Sequence, residues 1–225
     1  MKFIKSPNFS ARNQVVTSIV LHYTQVNLNE TLKIFLNKES ELSAHYVLSE
    51  EGDVIQMVED EDVAWHSGVS SWRGIDNLNH SSLGIEIVND GISKYPDIQI
   101  RRLIDLLDRL RGKFDIKDVN IVGHSDIAPL RKDDPGKLLP WNLLAKHNHG
   151  LYVSYEELCN SNFIPKNLDL KTNLCKLGYS NNYCSNLAEL DKVKLAFANH
   201  FAHDFEVILP ELEIIKLISL IIVKS

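Results

Sequence analysis

Three ionisable side chains stand where short apolar runs end. His22 follows "SIVL", Glu86 lies inside "LGIEIV", and His124 follows "NIVG". A carboxylate within an apolar strand is costly unless it is paired, solvated at a site or near a metal, so Glu86 calls for a partner. Just beyond His124 comes "RKDDPG", where proline fixes φ and glycine lets the chain turn, so a carboxylate can be held rigidly. Two histidines from separate strands plus one carboxylate form the three-ligand zinc set that keeps a fourth position open for water, as catalytic sites do. Asp134 is the preferred third ligand, and Asp133 and Asp126 also satisfy the spacing. Lys132 falls on the same side as Asp134 if the segment is extended, and a lysine ammonium beside a polarised carbonyl stabilises the oxyanion that develops on attack. Ser125 is not a nucleophile candidate. Its neighbours His124 and Asp126 are adjacent in sequence and cannot form the relay, and no strand-turn-helix G-x-S-x-G elbow is present.

The elements that must carry these residues are readable in outline. "TSIVLHY" (17–23) is short and rich in β-branched residues, a buried strand. "LNETLKIFLN" sets Leu28, Leu32 and Phe35 at helical spacing. "AHYVLSEEGDVIQMV" alternates on either side of Glu51-Gly52-Asp53, which predicts a hairpin. Residues 63–81 are polar and aperiodic, a long loop of the kind that carries function. "SLGIEIV" (82–88) and "DVNIVGH" predict two more strands. Between them Asp97 caps a helix with Ile100, Leu103, Ile104, Leu107 and Leu110 on one face, stopped at Gly112. Alternating strands and helices up to about residue 150 predict an α/β fold, a mixed β-sheet flanked by helices. From 151 to 225 the apolar positions Leu187, Leu190, Val193, Phe197 and Phe201 recur at helical spacing, which predicts a small helical second domain.

Composition limits the partners. The 225 residues are 44% apolar and 24% charged, the balance of a folded chain. The net charge is −6 with no Lys/Arg-dense stripe, which speaks against nucleic acid. "LISLIIV" (217–223), between Lys216 and Lys224, is far short of the ~20 residues a spanning helix needs and reads as a buried helix end. Cys159, Cys175 and Cys184 do not make a tidy disulfide framework. Cys175 and Cys184 with His200 and His203 do not match the spacing of a zinc knuckle. The first residues show no signal peptide. We expect a monomer.

Six ordered stretches, "IVLHYT", "SAHYVL", "AWHSGVSSWRG", "SLGIEIVN", "VGHSDIAPLRKDDPG" and "LLPW", resemble the zinc-dependent N-acetylmuramoyl-L-alanine amidases of the amidase-2 family. The likeness covers about residues 15 to 145. It is nearest to the AmiD type, with AmpD and the peptidoglycan recognition proteins more distant. The resemblance implies a sheet with helices on both sides and one Zn2+ in a groove, cutting the amide between the lactyl group of N-acetylmuramic acid and L-alanine of the stem peptide. It implies His22, His124 and Asp134 as ligands and Glu86 with Lys132 as the catalytic pair. Some phage-type relatives use a tyrosine just before the histidine of "SAHY", where this chain has Ala44; that favours Glu86 for proton handling. His45, Trp65, His66, Arg73 and Asn79 lie in motifs that border the groove in relatives, and Arg73 is expected to meet a stem-peptide carboxylate.

The implied substrate is peptidoglycan, a muropeptide or a lipid-linked precursor. The implied location is the bacterial envelope, the periplasm, although without a leader the cytoplasm stays open. In the helical part, "KLGYS" and "KLAFANHF" echo wall-binding repeats, from which Ala198 and Asn199 depart. The competing expectation is a non-catalytic peptidoglycan-binding protein on the same fold.

Overall fold

The computed structural model describes residues 1–225. Its strands are β1 (Lys2–Phe3), β2 (Phe9–Ala11), β3 (Ser18–Tyr23), β4 (Tyr46–Leu48), β5 (Val54–Gln56), β6 (Asp62–Ala64), β7 (Ser71–Trp72), β8 (Ile75–Asp76), β9 (Ser82–Ile87) and β10 (Ile121–Gly123). Six of them form the central sheet in the order β1-β5-β4-β9-β3-β10. Only β4 and β5 pair antiparallel, across the hairpin at Gly52, whose φ of 88° a side chain would disfavour. The sheet is therefore mixed, as expected.

Period-two alternation divides the sheet into two faces. Ile19, Leu21, Leu83, Ile85, Ile87, Tyr46 and Leu48 point to one side and share a core with the buried stripe of α2 (Asp97–Lys113), following α1 (Leu28–Leu36) in the chain. Val47 and Ile55 point to the other side and pack with Phe35 of α1. The Asn27 side chain accepts from the Glu30 N–H to start α1. Asp97 does not cap α2: Pro96 precedes the helix and Asp97 is its first residue, favourably placed against the helix dipole. Gly112 lies inside the last turn of α2, and Phe114 ends it.

The polar stretch 63–81 has more structure than its aperiodic sequence suggested. It holds β6, paired with β2, a β7–β8 hairpin and a 3-10 turn at Leu78–His80. Such two- and three-residue strands leave no periodicity to read.

After β10 come α3 (His124–Ile127) and α4 (Trp141–Lys146), then the helices α5 (Tyr155–Asn160), α6 (Leu170–Leu177), α7 (Leu187–Phe201) and α8 (Glu211–Lys224). "LISLIIV" lies in α8, where Leu217, Ile218 and Ile221 are buried but Val223 at its end is exposed, so the helix end is not buried as expected. The helical segment shares one core with the sheet: Val20 and Val122 lie in the same apolar cluster as Leu174, Phe197 and Ile218. The three cysteines are free thiols. No helix is long and apolar enough to cross a membrane.

Candidate metal centre

The register of β3 against β9 pairs His22 with Glu86, so the two side chains stand next to each other on the face that carries Val20 and Gly84. Both lie near the carboxyl ends of parallel strands, where open sheets place their sites. β10 runs parallel to β3 and delivers His124 at its end. The "DDPG" loop then returns beneath it. The Ser125 N–H donates to the Asp134 carbonyl at 2.8 Å, the Tyr95 hydroxyl donates to the Pro135 carbonyl at 2.8 Å, and Gly136 adopts a φ of 72°.

These supports bring three ligand atoms together. His22 Nδ1 lies 3.0 Å from His124 Nδ1 and 3.0 Å from Asp134 Oδ2, and His124 Nδ1 lies 3.1 Å from the same oxygen. All three residues are buried. Asp134, rather than Asp126 or Asp133, is the carboxylate that joins the imidazoles. Asp126 faces away from them, and the exposed Asp133 accepts from the Tyr23 hydroxyl at 3.0 Å.

The surrounding hydrogen bonds determine which ring nitrogens carry protons. The Ser82 hydroxyl donates to the Leu78 carbonyl at 2.6 Å, so Ser82 Oγ accepts from His66 Nε2 at 3.3 Å. That leaves His66 Nδ1 to accept from His22 Nε2 at 3.0 Å, and turns the bare Nδ1 of His22 towards the site. His124 Nε2 donates to the Ser67 carbonyl at 3.1 Å, which likewise leaves its Nδ1 bare. Two lone pairs and a carboxylate oxygen thus converge with no proton among them, an arrangement that calls for a cation. Their separations fit one, since ligand atoms about 2.0–2.1 Å from a tetrahedral zinc stand roughly 3.3 Å apart.

Burial favours the neutral form of His22 and His45. Burial, reinforced by His124, lowers the His22 pKa to about 4, and burial together with Arg12 lowers that of His45 to about 3. Glu86 is pushed well above the usual carboxylate range, by burial first and the Asp134 charge second. Its Oε2 is buried without any hydrogen-bond partner.

A stability prediction follows for the metal-free chain. Unfolded histidine takes up a proton near pH 6.5, whereas folded His22 and His45 wait until about pH 4 and about pH 3. At these two sites the unfolded state binds more protons throughout this window, so the stability they contribute falls as pH drops. Glu86 offsets this in part, because its raised pKa lets the folded chain keep a proton there that the unfolded chain lacks. The loss should be on the order of a few kcal/mol between about pH 6.5 and about pH 4.5. Urea midpoints across that range should decline steadily; a flat profile would contradict the buried neutral assignment.

The groove encloses ≈ 310 Å³ and is lined by His22, Glu86, His124 and Asp134, with exposed Lys132 at its edge and the half-buried Trp65 on its wall. Of the other expected site residues, His66 lines the groove and supports His22. Three lie elsewhere. His45 is fully buried and accepts from the Gly84 N–H at 3.0 Å. Asn79 Oδ1 accepts from the N–H groups of His66 and Ser67 at 3.0 and 2.7 Å, pinning the loop behind the site. Arg73 donates to the Leu177 carbonyl at 2.9 Å, tying the β7–β8 hairpin to α6.

Sequence reasoning missed Ser82 and Gly84 as supports of the centre. A glycine within a strand often marks close approach by another group, and here a Cβ on Gly84 would sit 2.4 Å from His66 Cγ. Gly84→Ala should therefore displace His66 from His22 and cost about 1–3 kcal/mol through overpacking. A urea midpoint equal to that of the unaltered chain would show that the ring has room.

The sequence profile of the family described as N-acetylmuramoyl-L-alanine amidase matches residues 12–137. The chain is 36% identical to Escherichia coli N-acetylmuramoyl-L-alanine amidase AmiD over 150 residues, 60% of this chain and 54% of that protein. It is 40% identical to 1,6-anhydro-N-acetylmuramyl-L-alanine amidase AmpD of Enterobacter cloacae over 101 residues, 45% of this chain and 54% of that one. The chain thus spans about half the length of the curated relatives it matches.

Among solved structures, E. coli AmiD in complex with anhydro-N-acetylmuramic acid-L-Ala-D-gamma-Glu-L-Lys superposes with a TM-score of 0.81 at 27% identity, covering 96% of this chain and 98% of that one. AmpDH3 from Pseudomonas aeruginosa superposes with a TM-score of 0.83 at 29% identity, covering 93% and 92%. The matched span holds His22, Glu86, His124, Lys132 and Asp134 and makes up more than half of the sequence, so the chain belongs to the N-acetylmuramoyl-L-alanine amidase family.

Proposed function

We propose that the chain hydrolyses the amide bond between the lactyl group of N-acetylmuramic acid and L-alanine of the stem peptide, in peptidoglycan or its muropeptide fragments. The carrying observation is the convergence of three proton-free ligand atoms beside a carboxylate oxygen that has no partner. Zinc suits two imidazoles and one carboxylate with room for a fourth ligand. When bound, it would polarise the scissile carbonyl and lower the pKa of the attacking water.

The chain's own residues supply the remaining chemistry. Glu86 Oε2 accepts a proton from the attacking water and returns it to the leaving alanine nitrogen. Burial suits it to this task, because a carboxylate with a raised pKa is a stronger base. The Lys132 ammonium, at the groove edge, steadies negative charge on the former carbonyl oxygen. Trp65 offers an apolar wall to the sugar or peptide. The anhydro-muramyl peptide held by AmiD supports muropeptides as substrates here, and this substrate class favours the bacterial envelope as the place of action. Residues 1–150 form the amidase unit in this reading, and 151–225 a helical unit packed on it.

Chelation tests the reading against the non-catalytic alternative. Release of stem peptide from a defined muropeptide, followed by mass spectrometry, should cease after zinc removal and return when zinc is restored. Cleavage that persists in the metal-free chain would refute the metal mechanism. Binding without cleavage in either state would identify a non-catalytic wall-binding protein.

A further inference from the structure

Asp126 is fully buried two residues beyond His124 and takes no part in the metal centre. Its carboxylate is held from both sides of the molecule. Oδ2 accepts from the Gly123 N–H at 2.7 Å and from His200 Nδ1 at 2.7 Å, and Oδ1 accepts from the Tyr179 hydroxyl at 2.8 Å. Tyr179 and His200 belong to "KLGYS" and "KLAFANHF", the stretches that echo wall-binding repeats. Both are turned inward, 2% and 3% exposed. The His200 ring is stacked between Trp141 and Phe201, with centroids at 3.7 and 3.8 Å, and the Tyr179 ring meets Trp72 edge-on at 5.1 Å. The same helical segment also grips the chain that follows: Tyr183 donates to the Ile127 carbonyl and Lys192 to the Leu130 carbonyl, each at 3.0 Å.

These contacts fall on residues 126–130, the stretch that joins His124 to Lys132 and Asp134. A buried carboxylate contributes little to stability compared with apolar packing, but its hydrogen bonds are directional and costly to leave unmade. Here one of them fixes the backbone of the residue immediately before a ligand. We infer that Tyr179 and His200 are positioning residues of the metal centre: through Asp126 they set the Gly123–His124 turn and so the direction of the His124 imidazole. The helical segment therefore completes the metal site rather than serving only as an appendage for the cell wall. The inference rests on the metal reading above.

The test is zinc affinity of the full-length chain, measured by competition with a chromophoric chelator and paired with the visible spectrum of the cobalt-substituted protein. Tyr179→Phe removes one oxygen, and His200→Leu removes the donor to Oδ2. Each should weaken zinc binding by up to about 10-fold, the lower end of what losing a partner bonded directly to a ligand costs, because these residues act one step further out through Asp126, and alter the cobalt spectrum. His200→Asn, which keeps a donor, should recover part of the loss.

Leu174→Ala is the control. This residue is fully buried in the same core, so the substitution should lower stability while leaving zinc affinity unchanged. Unaltered affinity in both Tyr179→Phe and His200→Leu, or an equal loss in Leu174→Ala, would overturn the inference and leave the metal reading intact. Absence of zinc binding by the unaltered chain would overturn both. Should His200→Leu fail to fold, Tyr179→Phe gives the same readout.

Discussion

Glu86→Ala should bind zinc as the unaltered chain does and lose turnover by about 10²- to 10⁴-fold, the range over which a positioned general base contributes. The separation of the two effects follows from geometry. His22 and Glu86 are register partners on neighbouring strands, but the three converged ligand atoms belong to His22, His124 and Asp134. Removing the Glu86 carboxylate leaves those atoms and their supports in place. It also removes a buried oxygen that has no hydrogen-bond partner, so the fold should not suffer. The check is zinc content beside the rate of stem-peptide release. A zinc-loaded variant with near-normal turnover would show that another group moves the proton.

His124→Ala should lose both metal and activity. Structural zinc is held by roughly 10–16 kcal/mol over four ligands, so one ligand is worth on the order of 3 kcal/mol, above about a hundredfold in dissociation constant. The variant also deprives the Ser67 carbonyl of its His124 donor, although Arg131 still reaches that oxygen. Full zinc occupancy in His124→Ala at equal protein and metal would remove this residue from the ligand set. The contrast between the two variants separates proton transfer from coordination.

The residues of the centre were legible in the sequence because each breaks a local rule. Two histidines end apolar strands, a glutamate interrupts one, and an aspartate precedes a proline-glycine turn. The long strands and α2 were equally legible, since their periods extend over enough residues to register. β1, β2 and the β7–β8 hairpin were not, because two or three residues establish no period and their pairing is set by distant partners. Sequence spacing also left Asp126, Asp133 and Asp134 open as the third ligand. Only tertiary contacts separate them: Asp126 is taken by Tyr179 and His200, Asp133 by Tyr23. The roles of His66 and Ser82 were hidden for the same reason. A chain of hydrogen bonds from Leu78 to His22 is visible only once the 63–81 loop is folded over β9.

The most direct measurement is a crystal structure of the chain grown with zinc, with anomalous scattering recorded at the zinc edge. One peak per chain should appear, bonded to Nδ1 of His22, Nδ1 of His124 and a carboxylate oxygen of Asp134. An empty site at excess zinc, with these three side chains turned away from one another, would contradict the account.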